Sequence, residues 1–287
     1  MGHVRDRMNA DLLLAGRSEK TRTHYIGCAR LFVKRFMRSP EELGEKEVRE
    51  YLISLMTRVR AGNLSIGRYL QYVGALKFLF KITLRRPEVV AWIPWPKMPK
   101  RRPDVMTRDE VARVLDAAPG AFWTAFFTTA YAAGLRRMEV ATLAAQDIDS
   151  RSGLIRVRCG KGGKAREVKL DPELLACLRA HWRALRLIGP WLFPARQPRG
   201  GWKDRPVTLG RATDAFREAV IAAGIKRRLT LHALRHAFAT HLLEDGVDVF
   251  TLQQLLGHES LETTGQYTEI RTDRIRATPS LLRKLRT

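Results

Sequence analysis

Several things are scarce in this chain of 287 residues, and each scarcity removes a class of protein. Cysteine occurs three times, at Cys28, Cys159 and Cys177, with no two spaced as a CxxC pair. An odd, scattered set argues against a disulfide framework or a thiolate zinc site and leaves a reduced, cytoplasmic protein as the expectation. No apolar run approaches the roughly 20 residues needed to cross a bilayer, and the opening MGHVRDRMNADLLL lacks a signal-peptide core. There is no internal repeat and no low-complexity tract. Acid is short as well: 29 Asp and Glu face 52 Lys and Arg, a formal net charge of +23.

The basic excess is not a tail, because residues 1–103 carry +13 and residues 104–287 carry +10. Self-repulsion of that size is tolerated best when the usual partner is a polyanion, so nucleic acid comes first and an anionic membrane second. The length suffices for one large domain or two ordinary ones, each with a buried core.

Apolar residues recur at helical spacing over 20–37, 45–59 and 65–83, with a shorter helix near 87–92. The stretch IPWPKMPKRRPD (93–104) then brings four prolines and four basic residues. Proline fixes φ and removes backbone donors, which predicts an extended basic linker over 96–104 between a helical N-terminal domain (1–95) and a second domain (105–287). The second domain opens on a capping box, Thr107 with Glu110, and helices are expected near 108–117 and 121–133. LIRVR (154–158) and REVKL (166–170) alternate around the tip CGKGGKA, the pattern of a β-hairpin with lysines at its turn. Helices follow near 172–186, 208–223, 231–244, 248–256 and 261–269, with glycine stops at Gly246 and Gly257. The fold class is therefore mainly α with a small antiparallel sheet, in two lobes that could close around a rod such as DNA.

One stretch, LHALRHAFATH (231–241), packs three histidines and an arginine into eleven residues without a single acid. At about 100° per residue, Leu231, Leu234, Phe238 and Leu242 make the core stripe. His241 lies close to it and reads as a packed, satisfied histidine. His236 points away from the core, either solvated or available to a phosphate. His232 and Arg235 flank the stripe as i,i+3 neighbours whose tips could converge. His232 and His236 have usable metal spacing, but no carboxylate base or third ligand accompanies them, so metal is a minority reading.

Four boxes together resemble the tyrosine recombinases, or phage integrases, especially their compact Xer-like branch. These are GLRRME (134–139), GKGGKAR (160–166), LHALRHAFATHLLEDGVD (231–248) and LLGHESLETTGQYTEI (255–270), in the family's order and near its spacing. The N-terminal helices and basic linker likewise look like the family's core-binding domain. The resemblance implies a two-domain DNA clamp, helical core-binding plus catalytic domain, that exchanges strands of double-stranded DNA without ATP, metal or other cofactor. It implies that Tyr267 attacks a phosphodiester to give a 3′-phosphotyrosyl link. Arg136 and Arg235 would clamp the phosphate, since two permanently cationic forks suit a phosphorane. His232 would take the phenol proton, His258 would hydrogen-bond the phosphate, and Lys161, with Lys164 as competitor, would protonate the leaving oxygen. Glu139 would orient Arg136, although Arg137 and Met138 stand between them where the family commonly has small residues.

The resemblance further implies assembly as a tetramer on DNA, in the nucleoid, with the tail 271–287 docking on a neighbour or packing in cis. A non-catalytic helix-turn-helix protein built from 248–256 and 261–269 is the alternative. Its second helix, however, carries Glu262 and Glu269 and no basic residue, a poor surface for a major groove.

Overall fold

The computed structural model describes residues 2–96, 104–158, 165–187, 189–197 and 200–257. The chain forms two compact units, Met1–Lys100 and Arg101–Thr287.

The first unit is helical: α1 (Gly2–Leu14), α2 (Glu19–Phe36), α3 (Glu45–Arg60), α4 (Ile66–Phe78), a π-helical turn over Leu79–Thr83, and the short α5 (Glu88–Ala91). Ser18 and Ser65 cap α2 and α4 by accepting from the amides of Thr21 and Arg68. The core is Met8, Leu12, Phe32, Leu43, Val48, Leu76, Leu79 and Phe80, with Phe32 meeting Phe36, Tyr51 and Phe80 edge-on. The sequence reading placed no helix before residue 20. Helix α1 nevertheless forms, because Val4, Met8 and Leu12 recur every fourth residue and are buried as one face. Only packing against the neighbouring helices makes so thin a stripe sufficient.

The second unit contains α6 (Arg108–Asp116), α7 (Ala121–Ala132), α8 (Arg137–Ala141), β1 (Ile148–Asp149), β2 (Leu154–Val157) and β3 (Arg166–Lys169). It continues with α9 (Pro172–Leu185), β4 (Pro194–Arg196), β5 (Trp202–Pro206), α10 (Leu209–Ala222), α11 (His232–Glu244) and α12 (Val249–Leu256). Thr107 and Glu110 form the expected capping box on α6. Strands β1, β2 and β3 make an antiparallel sheet in that order, with Ile155 opposite Val168 and Val157 opposite Arg166. Ile155, Val157 and Val168 are buried and Arg156, Glu167 and Lys169 are exposed, as a period of two requires.

The pair β4–β5 is a second, two-stranded antiparallel sheet that sequence reasoning did not foresee. Its strands begin or end on proline and carry Lys203 and Asp204, residues poor in β propensity. The aromatic cluster beside it supplies what propensity does not: Trp202 stacks on Phe122, and Phe193 packs on Phe122 and Phe126.

Helix α7 runs through the core, burying Ala125, Phe126, Phe127, Thr129 and Ala130. Its small residues let α11 approach closely. Helix α11 departs from the single stripe expected of it, because it is covered on almost every side. Ala233, Leu234, Arg235, Ala237, Ala239, His241 and Leu243 are all buried, while Phe238 and Leu242 are only half-buried in a satellite cluster with Leu252 and Leu256 of α12. Among the described residues no helix is long and apolar enough to cross a membrane.

Candidate active site

Glycine and arginine set the first corner of the site. Gly134 ends the turn after α7 at φ +59°, a conformation costly for any side chain, and a Cβ there would lie 2.4 Å from the Phe238 ring. The backbone therefore reaches α11 at close range, and the Gly134 carbonyl accepts from Nη1 of Arg235 at 2.7 Å. Two residues on, Arg136 is the N-cap of α8. Glu139, three residues later, folds back to accept from the Arg136 amide at 2.8 Å and from its Nη1 at 2.8 Å. Arg137 and Met138 point outward and are exposed, so the bulk between the two partners leaves their bond undisturbed.

The centre of the site is the Glu139 carboxylate, whose side chain is 3% exposed. Besides Arg136 it receives a two-pronged bond from Arg166, Nη1 to Oε1 at 2.8 Å and Nη2 to Oε2 at 2.7 Å, and Arg235 lies 3.9 Å away. Burial by itself would raise this carboxyl. The Arg166 fork, the Arg136 amide and the Arg136 guanidinium overcome that and hold it at about 2.

The same three arginines meet the end of α12. Arg166 Nε donates to the Leu255 carbonyl at 2.9 Å, Arg235 Nη2 to Leu256 at 2.6 Å, and Arg136 Nη2 to Gly257 at 3.2 Å. The last carbonyls of a helix lack intrahelical donors and sit at its negative end, so cations are favoured there. Gly257, at φ +61°, is the left-handed C-cap that aims these carbonyls inward. Three consecutive carbonyls are thus held by arginines from three separate segments, immediately before the sequence that holds His258 and Tyr267.

Arg235, read from sequence as flanking the core stripe, is in fact sealed inside it at 1% exposure. Gly134, Leu256 and Glu139 make that burial tolerable for a charge. His232, at the first turn of α11, keeps an exposed face while its ring packs edge-on to His236 at 4.5 Å between centroids. Partial burial, then His236 and the charges of Arg235, Arg136 and Arg137, push its pKa down to about 4. At neutral pH it is a neutral imidazole, able to accept a proton.

His236 is not the freely solvated residue that one of the two readings from sequence allowed. It is half-buried against His232, and burial followed by the Arg235 charge lowers its pKa. Among the described residues no third His, Cys, Asp or Glu joins this pair in a metal-sized cluster. His241 is the packed, satisfied histidine expected. Its Nε2 lies 3.1 Å from the Met106 carbonyl, which can only accept, so the proton sits there and Nδ1 accepts from the Tyr131 hydroxyl at 2.9 Å.

Sequence reasoning named Arg136, Glu139, His232 and Arg235, and the structure brings them together. It missed Arg166. The signal was available, because in REVKL the period of two puts Arg166 on the same inward face as Val168 and Leu170. An arginine on that face needs a buried acid, and Glu139 is one of the few. Lys161, Lys164, His258, Tyr267, the tail 271–287 and nearly all of the predicted linker lie outside the described residues.

Residues 104–274 match the phage integrase family, and residues 4–88 match the phage integrase N-terminal SAM-like domain. The chain is 39% identical over 281 residues to y4qK of Sinorhizobium fredii, a protein named as an integrase/recombinase, covering 98% of this chain and 88% of that one. It is 33% identical to the tyrosine recombinase XerA of Pyrococcus furiosus, covering 90% of this chain and 86% of the relative. A crystal structure of a lambda integrase tetramer bound to a Holliday junction shares the fold, with a TM-score of 0.74 and 21% identity over 93% of this chain and 76% of that one.

Proposed function

Because the chain belongs to the phage integrase family, the tyrosine recombinases that cleave and rejoin DNA, we propose that it recombines double-stranded DNA at specific sites through a 3′-phosphotyrosyl intermediate. Tyr267 is the nucleophile. Its hydroxyl oxygen bonds to phosphorus, the bond to the 5′-oxygen breaks, and the electron pair leaves on that oxygen. The bond energy stays in the protein–DNA link, so resealing needs neither ATP nor metal.

Arg136 and Arg235 hold the non-bridging oxygens as charge builds on them. Their donors now on Gly257 and Leu256 exchange carbonyl oxygens for phosphate oxygens when DNA arrives. His232, neutral at working pH, receives the phenol proton. His258 hydrogen-bonds the phosphate, and Lys161 on the hairpin tip gives the leaving oxygen its proton. Glu139 keeps Arg136 in place. Four copies assemble on paired sites, as lambda integrase does on a Holliday junction.

One observation carries this reading: guanidiniums from the first-arginine box, the lysine hairpin and the His-x-x-Arg box gather around one buried carboxylate and hold the three carbonyls that precede His258. The test uses nicked duplexes bearing sites selected by the protein from random-sequence DNA. The wild-type chain should give an SDS-resistant adduct in EDTA, and Tyr267→Phe should give none. An adduct that survives the substitution, or one abolished by chelator, refutes the mechanism.

A further inference from the structure

Two arginines frame the hairpin tip, and both are tied to buried carboxylates. Before the tip, Arg158 donates to Asp147 at 2.8 and 2.9 Å. After it, Arg166 donates to Glu139. The pairs resemble one another as anchors but differ in reach. The Arg158 side chain is 42% exposed, and Asp147 otherwise accepts only from the Ala144 amide among the described residues. The Arg166 side chain is 9% exposed, and its guanidinium touches the carboxylate that sets Arg136 and the carbonyl two residues before Gly257.

We infer that Arg166 is a positioning residue for strand cleavage: it locks Glu139, and through it Arg136, in register with the end of α12, so that the phosphate clamp and the segment leading to the nucleophile are set by one guanidinium. This rests on the recombinase reading above. Three facts support it. Both terminal nitrogens of Arg166 are committed to the Glu139 carboxylate and its Nε to the Leu255 carbonyl, so its fork is held by a charge and not by an exchangeable carbonyl. Its partner Glu139 is shared with Arg136. Its chain also abuts Gly257 so closely that a Cβ there would meet Cδ at 2.9 Å. Lysine cannot replace it, because an ammonium cannot span two carboxylate oxygens and a carbonyl at once.

The test compares full-length wild type, Arg166→Lys, Arg166→Ala and Arg158→Ala in single-turnover cleavage and in DNA binding. Each is run on ordinary nicked duplex and on duplex whose scissile 5′-oxygen is replaced by sulfur. On the sulfur substrate the P–S bond breaks and the electron pair leaves as a thiolate, which needs no proton from the hairpin lysine. Both Arg166 variants should cleave at least about tenfold more slowly than wild type with DNA affinity within about twofold, on both substrates, because the clamp itself is misplaced. Arg158→Ala, which disturbs only the hairpin, should recover on the sulfur substrate. Arg166→Ala combined with Glu139→Gln should be no slower than Glu139→Gln alone, since both act through one carboxylate.

Wild-type rates in Arg166→Lys overturn the inference. So does recovery of the Arg166 variants on the sulfur substrate, which would confine Arg166 to the hairpin, or an additive double variant. Should Arg166→Ala lack a folding transition, Arg166→Lys decides. A wild type that forms no adduct at all overturns the recombinase reading instead.

Discussion

The two units of this protein handle charge in opposite ways. In the N-terminal unit the ion pairs sit on the surface: Arg35–Glu50, Arg38–Glu42 and Arg49–Glu45 all have both side chains at least half exposed. Thr83 is the one polar residue buried there among the described residues, and apolar and aromatic packing holds the unit together. The catalytic unit buries Glu139, Asp147, His181, Arg235 and His241, and three arginines converge on one carboxylate. A surface charge is cheap to keep and free to meet a polyanion. A buried cation is costly, and it persists where neighbouring groups fix its geometry. The contrast separates a unit suited to broad electrostatic contact from one suited to placing a few donors accurately.

The sharpest way to break this contrast is Glu139→Gln. Removing the central charge leaves buried guanidiniums uncompensated and should cost about 3–5 kcal/mol in urea unfolding at neutral pH. A loss below about 1 kcal/mol, the range of surface pairs, would mean the cluster is no more than a surface network.

Acid gives the next largest effect. The Glu139 carboxyl is depressed from its ordinary 4.5 to about 2, so the unfolded chain takes up its proton first as pH falls. Its stabilisation is complete above about 4.5 and disappears as pH falls through about 2, a contribution of about 3 kcal/mol. The stability difference between wild type and Glu139→Gln should therefore shrink as pH drops from 5 toward 2. A difference that stays constant would assign the stabilisation to something other than this ionisation.

The smallest effect should come from the N-terminal unit. Glu50→Gln, which removes the exposed partner of Arg35, should change unfolding free energy by less than about 1 kcal/mol, with the remainder screened by salt. A loss comparable to that of Glu139→Gln would erase the distinction between the units.

The path from sequence to site was uneven for physical reasons. Helices α2, α3, α9, α10 and α12 were legible because their caps and periodicity are local, whereas the burial of α11 on almost every side was not. So was the β2–β3 hairpin, whose alternation and turn composition are local too. Helix α1 and the β4–β5 sheet were not, since packing and aromatic stacking rather than propensity sustain them. Arg136, Glu139, His232 and Arg235 could be named because their spacing along the chain is itself the signal. Arg166 was passed over because its role depends on partners 27 and 89 residues away.

By itself the sequence determined the family and the kind of partner. Its basic excess points to a polyanionic partner, and its four boxes, in the family's order and near its spacing, mark it as a tyrosine recombinase, because such motifs are local strings of residues. Only the tertiary structure decided which groups hold which. It sealed Arg235 inside the core, pushed the pKa of His232 down, and joined arginines from three separate segments to Glu139 and the end of α12. Burial and dielectric belong to the packed state, and no single stretch of chain can specify them.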